Sequence, residues 1–118
     1  MNAVEVLYRV EDPESHVGPY RLGHREYVPL PGGADTHPTP QDEGYTVPTP
    51  HHQCAFASME QARDWFDEDT MRALFDAGWV LSGLEVHADS VTHLGRQSVF
   101  DSGAVIRRWH LTNDASEC

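Results

Sequence analysis

Apolar and polar residues alternate near the start of the chain, which is the period of a β-strand. Val4, Val6, Tyr8 and Val10 fall on one face, and the residues between them fall on the other. The acidic, proline-containing stretch at 11–15 then interrupts the pattern. The sequence therefore predicts a first strand that ends near Val10.

Two segments in the middle of the chain show helical spacing. Ser58, with Gln61 three residues later, fits a capping box at a helix start. Behind it the apolar residues recur at helical intervals: Met59, Ala62, Trp65 and Phe66. The segment Asp67-Glu68-Asp69-Thr70 interrupts this pattern and is predicted to cap a second helix, and Gly78 stands where glycine commonly ends a helix.

The last third of the chain returns to strand patterns. A strand is predicted over 79–86, and the segments 96–100 and 104–111 are predicted to form a hairpin around a short polar turn. The order of elements indicates an α+β fold, with a mainly antiparallel sheet, two short helices and a long proline-rich loop. We expect one domain over residues 1–112 and a frayed tail over 113–118.

The proline-rich loop is predicted to run from Pro29 to Gln53 and lacks a periodic apolar pattern. It holds six of the eight prolines and three of the eight histidines. A loop of this length in a compact domain usually carries a function or is disordered. His37 lies in a segment stiffened by Pro38 and Pro40, and its imidazole is suited to act as a general base or a ligand donor. The alternative is that His37 only packs or caps a turn.

The charge balance limits the classes of partner. The 118 residues carry 19 Asp and Glu against 8 Lys and Arg, a formal net charge of −11. Nucleic-acid binding through a basic patch is therefore not expected. The acidic surface either keeps the protein soluble or presents phosphate-like negative charge that competes for a partner that binds nucleic acid. No apolar run approaches the roughly 20 residues of a membrane span, and the N-terminus lacks signal-peptide features. We expect a cytoplasmic protein without a membrane partner.

Several residues have the chemistry to bind an anionic ligand. Arg9 ends the first strand, and its planar guanidinium is suited to hold a phosphate through two hydrogen bonds. The alternative for Arg9 is pairing with an acid on the sheet. Tyr20 and Arg21 follow a Gly-Pro turn and would stack on and clamp the same ligand, or only pack the turn. The helix start at Ser58 would add backbone donors for an anionic group.

A metal site is not predicted. His51, His52 and Cys54 are metal-ligand types, but they lack a second pair at zinc spacing. The alternative is a structural metal site completed by His37, His87, His93 or His110. Cys54 is instead expected to be a buried apolar residue beside Ala55 and Phe56.

The chain resembles a group of small phage and prophage proteins. The residues that carry this resemblance span nearly the whole chain: Tyr8-Arg9-Val10, Gly18-Pro19-Tyr20-Arg21, His37-Pro38-Thr39-Pro40 through Gly44, Phe56-Ala57-Ser58 with Glu60-Gln61 and Trp65-Phe66, Leu84-Glu85-Val86, and Gly95-Arg96-Gln97-Ser98-Val99-Phe100. The group brings no established activity. The resemblance implies a phage-encoded protein in the host cytoplasm with a host protein as its partner.

A weaker resemblance runs to the ADP-ribosyltransferase superfamily. There, an Arg or His on the first core strand contacts NAD, a Ser motif opens a helix, and a Glu on a late strand holds the nicotinamide ribose. Here Arg9 matches the first element, Ser58 the second, and Gln97 falls near the third. Gln97 lacks the carboxylate charge that steadies an oxocarbenium-like transition state. The resemblance implies an ADP-ribosyltransferase-like layout that binds NAD or ADP-ribose, with altered or absent catalysis.

The sequence leaves three functional hypotheses open. In the first, a nucleotide-like ligand binds to Arg9, Tyr20, Arg21 and Ser58, and any transfer of ADP-ribose to a host target would use His37 and Gln97. In the second, the chain is an acidic, non-enzymatic module that inhibits a host enzyme or defence complex. In the third, it is a minor phage component without a ligand.

Overall fold

The computed structural model describes residues 3–16, 52–94 and 97–111. Within them, six strands and two α-helices follow one another. They are β1 (Val4–Glu11), β2 (His52–Ala55), α1 (Met59–Trp65), α2 (Glu68–Asp76), β3 (Val80–His87), β4 (Thr92–His93), β5 (Ser98–Asp101) and β6 (Val105–Leu111). The predicted α+β class with antiparallel pairing is confirmed. None of the helices in these ranges is long and apolar enough to span a membrane.

The described strands form two three-stranded antiparallel sheets. In the first sheet β3 lies between β1 and β6, and in the second β5 lies between β2 and β4. The sheets meet where the backbone of Tyr8 pairs with that of Phe56, through hydrogen bonds of 2.8 and 2.7 Å. This bridge brings the end of β2 against the middle of β1, so β1 links the two sheets.

Both helices begin at side-chain caps. Ser58 Oγ accepts a hydrogen bond from the Gln61 N–H at 3.2 Å, and Gln61 Oε1 accepts one from the Ala57 N–H at 2.9 Å. The Asp67 carboxylate caps α2 in the same way at 2.8 Å. After α2, Gly78 has a φ of 96°, a left-handed conformation that glycine adopts without strain. The helix starts and the stop predicted from the sequence are confirmed.

The first sheet carries an apolar cluster on each face. The face toward the helices packs into one cluster of buried residues: Val10, Phe56, Ala62, Trp65, Phe66, Leu74, Trp79 and Leu81. The opposite face packs against the second sheet in another: Leu7, Ala55, Leu84, Val86 and Phe100. Because successive side chains of a strand point to opposite faces, β1 contributes to both clusters.

The hairpin predicted for the end of the chain is wrong. β5 and β6 belong to different sheets and do not pair with each other. A 3-10 turn at Ser102–Ala104 follows Asp101, whose carboxylate accepts a hydrogen bond from the Gly103 N–H at 2.8 Å. The polar turn is therefore present, but it passes the chain from one sheet to the other. A turn pattern does not reveal which strand each of its arms will pair with.

The predicted loop also ends earlier than its sequence indicates. His52 and Gln53 belong to β2, whose register with β5 runs from His52 opposite Asp101 to Ala55 opposite Ser98. A short polar segment carries no clear strand pattern, and its extended form depends on the neighbour that supplies hydrogen-bond partners. The rest of the predicted loop lies outside the described residues, as does the tail at 113–118.

Candidate functional site

Arg9, the predicted anion clamp, is buried where the two sheets meet. Its Nη1 donates to the Cys54 carbonyl at 2.6 Å, and its Nη2 donates to the His16 carbonyl at 3.1 Å. Its Nε lies 3.2 Å from a carboxylate oxygen of Glu11, close enough for an ion pair but without hydrogen-bond geometry. Every guanidinium nitrogen of Arg9 thus faces a group within the protein.

The Glu11 carboxylate is the centre of a buried polar network. Its exposed fraction is 0%, and it accepts a hydrogen bond from Ser82 Oγ at 2.8 Å. Arg108 Nη1 lies 2.5 Å from each of its oxygens. Burial lowers the pKa of Arg9, and the charge of Glu11 acts against that shift. Because buried charges need partners, the Glu11 carboxylate allows the guanidinium groups of Arg9 and Arg108 to lie where the two sheets meet.

The sequence pattern did not single out Glu11, Ser82 or Arg108. One signal was available, because Arg9 and Glu11 are two residues apart on a strand and must share a face. The other two residues come from β3 and β6, and only the strand register brings them to Glu11.

The other described site residues form no hydrogen bond or ion pair with Arg9. Ser58 caps α1 with its hydroxyl. Gln97 is 3% exposed and precedes β5, and its carbonyl accepts a hydrogen bond from the Leu94 N–H at 2.8 Å. Neither residue is among the partners of Arg9. The candidates Tyr20, Arg21 and His37 lie outside the described residues, so their convergence on Arg9 stays a prediction.

A second polar group connects the sheets nearer the start of β1. His93 Nδ1 lies 2.7 Å from Ser98 Oγ, and His93 Nε2 lies 2.8 Å from Glu5 Oε1. An ionised Glu5 selects the tautomer with its proton on Nε2, which leaves Nδ1 to accept the Ser98 hydroxyl proton. A carboxylate, an imidazole and a serine hydroxyl bonded in this order are also found at an activated catalytic serine. Ser98 is only 2% exposed, however, so a substrate cannot reach its hydroxyl. We interpret the group as a structural clasp between β1 and β4.

The outer surface of the helices is strongly acidic. Six carboxylate residues are exposed between positions 60 and 76: Glu60, Asp64, Asp67, Glu68, Asp69 and Asp76. Two exposed arginines, Arg63 and Arg72, lie among them, which leaves a formal charge of −4 on this layer. Arg72 pairs with Glu68 at 3.3 Å and with Asp69 at 3.9 Å. Such exposed pairs contribute little to stability. These exposed charged residues of α1 and α2, which we call the acidic layer, are therefore not needed to hold the fold together and can contact another molecule.

Comparison with known protein families assigns most of the chain to a family. A family model described as bacteriophage T4 Y00F protein matches residues 1–112, a range that includes every described residue. No curated protein and no solved structure matches the chain. The resemblance to ADP-ribosyltransferases receives no support from these comparisons.

Proposed function

The chain belongs to the bacteriophage T4 Y00F protein family, and from that premise we propose that it acts as an acidic, non-enzymatic module that binds a host protein. The observation that carries the proposal is the exposed acidic layer on α1 and α2. A partner with a basic surface is attracted to such a layer and oriented by it. A host protein whose own ligand is a polyanion has that kind of surface, and occupying it would inhibit the protein.

The packing of the helices supports this use of their outer surface. Trp65, Phe66 and Leu74 are buried against the first sheet, and each helix start is capped by a side chain. The exposed carboxylates are therefore carried on a fixed scaffold. Binding to such a surface orders little backbone, and this limits the entropic cost of association.

The proposal is tested by capture from host lysate at low and high salt, with two charge-matched variants. Glu60→Gln/Asp64→Asn removes two charges from the acidic layer, and Glu14→Gln/Asp89→Asn removes two exposed charges elsewhere. We expect the captured protein to dissociate as the Debye length falls from about 10 Å at 0.1 M salt to about 3 Å at 1 M. We also expect the first variant to retain it several-fold less well than the second. Equal retention by both variants, or capture indifferent to salt, would refute the proposal.

A specific contact favours nucleotide binding as the second candidate. Arg9 Nη2 binds the carbonyl of His16, the residue just before the segment that contains Tyr20, Arg21 and His37. This contact holds the His16 carbonyl beside Arg9. A phosphate of NAD or ADP-ribose would have to displace the carbonyl partners of Arg9, so we expect weak binding. Turnover by an ADP-ribosyltransferase-like route would be weaker still, since Gln97 replaces the carboxylate of that superfamily.

Calorimetry distinguishes the two candidates. NAD, ADP-ribose and simple nucleotides would be titrated into the wild type, Arg9→Lys and Gln97→Ala, with folding checked by circular dichroism. Lysine retains the charge opposite Glu11 but loses the two-pronged hydrogen bonding. Binding that is lost in Arg9→Lys and kept in Gln97→Ala would support a nucleotide clamp. Absence of heat at millimolar ligand would leave the acidic module as the proposal.

A further inference from the structure

Among the residues that the structure describes, one end of the helix-covered face of the first sheet has no element packed on it. The helices pack over the end that carries Val10 and Leu81. On the same face, toward the other end, Val4 and Val6 are 46% and 41% exposed. Covering these two valines, which are neighbours on the same strand face, is favourable because burial removes apolar surface from water.

The strand register places an acid and a base beside these valines. Val6 lies opposite Glu85 on β3, and Glu85 lies opposite Arg107 on β6. Directly opposite residues share a face, so the three side chains are neighbours. Within the described ranges, neither Glu85 nor Arg107 forms an ion pair, although they are cross-strand partners. The open patch therefore consists of Val4, Val6, Glu85 and Arg107.

Trp109 explains why Arg107 does not reach Glu85. Trp109 lies opposite Gly83, where a Cβ atom would overlap the indole, so the ring rests directly on the sheet. The guanidinium carbon of Arg107 lies 5.0 Å from the centroid of the Trp109 ring. This cation–π contact holds the guanidinium without using its N–H donors. Those donors stay available for a carboxylate of another molecule.

We propose that the open patch is a self-association surface, on which a second copy of the chain packs about a two-fold axis. Such an axis brings the same patch of both protomers together, so the surface must be self-complementary. The patch meets that condition, because it contains one cation, one anion and an apolar strip. Arg107 of each protomer pairs with Glu85 of its partner, and the valines of both pack between the two pairs.

The surface is separate from the acidic layer proposed to bind a host protein, so either proposal stands or fails alone. The open patch has four residues, far fewer than the roughly 20 to 30 a side of a stable interface, so we expect a weak dimer. Each protomer carries a formal charge of −11. Moderate salt, at about 0.15 M, screens the resulting long-range repulsion and is the condition for the test.

A charge-exchange experiment tests the pairing directly. Sedimentation velocity would follow the wild type, Glu85→Arg and Arg107→Glu over about 5 to 500 µM, a range that spans weak dimerisation. We expect a concentration-dependent dimer for the wild type and monomers for each variant, because like charges then face each other twice. An equimolar mixture of the variants should regain the dimer, since two acids on one chain then meet two bases on the other.

The mixture also excludes a trivial explanation. A variant that lost association by misfolding would stay monomeric in the mixture, whereas a variant with an intact patch would recover. Circular dichroism of each variant shows whether it is folded. A wild type that is monomeric at every concentration, single variants that dimerise like the wild type, or a mixture of two folded variants that fails to associate would each overturn the proposal.

Discussion

Replacing Glu11 with glutamine removes the carboxylate charge from the buried network at the sheet seam while nearly conserving volume. In the wild type this carboxylate lies 3.2 Å from Arg9 and 2.5 Å from Arg108. Removing one partner of a buried ion pair costs about 3–5 kcal/mol, because the remaining charge stays buried without compensation. We expect Glu11→Gln to lose about 3 kcal/mol, at the lower end of that range, since the amide oxygen of the new side chain would still accept a hydrogen bond from Ser82.

Urea unfolding followed by tryptophan fluorescence measures this loss. Trp65 and Trp79 are buried in the cluster between helices and sheet, so their emission reports global unfolding. With a denaturant slope of about 1–3 kcal/mol/M, the midpoint should fall by about 1–3 M. The expected loss of about 3 kcal/mol is a large fraction of the roughly 5–15 kcal/mol that stabilises a domain. Glu60→Gln, on the exposed surface of α1, is the matched control and should change stability by less than about 0.5 kcal/mol.

A double-mutant cycle shows whether the charge pairing causes the loss. Arg108→Met removes one guanidinium, and the double variant Glu11→Gln/Arg108→Met removes both sides of that pair. We expect the double variant to lose at least about 1 kcal/mol less than the sum of the single variants. A Glu11→Gln loss below about 1 kcal/mol, or strict additivity, would refute the view that Glu11 balances the buried guanidinium of Arg9 and the partly buried guanidinium of Arg108.

Three further changes test other contacts by the same urea measurement. Gly83→Ala puts a Cβ atom into the Trp109 indole and should cost about 1–3 kcal/mol; an unchanged midpoint would show that the ring does not rest on the glycine. Ser58→Ala removes the cap of the Gln61 N–H and should cost about 1 kcal/mol, and no loss would contradict the assigned start of α1. His93→Phe removes both imidazole hydrogen bonds and should cost about 1–2 kcal/mol. An unchanged free energy of unfolding would refute the interpretation that His93 links β1 to β4.

Features with local causes followed from the sequence. The caps at Ser58 and Asp67 each satisfy backbone donors within the next three residues, so their residue types are sufficient to locate the helix starts. Gly78 ends α2 for an equally local reason, because its own φ is positive. The alternation from Val4 to Val10 specified a strand and its two faces, since side-chain direction in a strand depends only on position parity.

The partners of each strand were decided by the tertiary structure. The apolar pattern around Phe100 correctly indicated a strand, but β5 pairs with β2 and β4 rather than with β6. Each of these pairings satisfies the hydrogen bonds of a strand, so short-range patterns do not distinguish them. The choice depends on which arrangement buries both apolar clusters at once, and that is a property of the whole chain.

The surroundings of Arg9 likewise could not be predicted from short-range sequence patterns. Pairing with an acid on the sheet was the alternative predicted for Arg9, but the sequence did not identify Glu11 as that acid, because the first strand was predicted to end near Val10. The sequence also did not show that Arg108, 97 residues from Glu11, would complete the network. Nor did it show that the carbonyls of Cys54 and His16 would occupy the remaining donors. Burial and hydrogen-bond partners arise from contacts between distant segments, so whether an arginine faces a ligand or the protein interior is settled only when those segments meet.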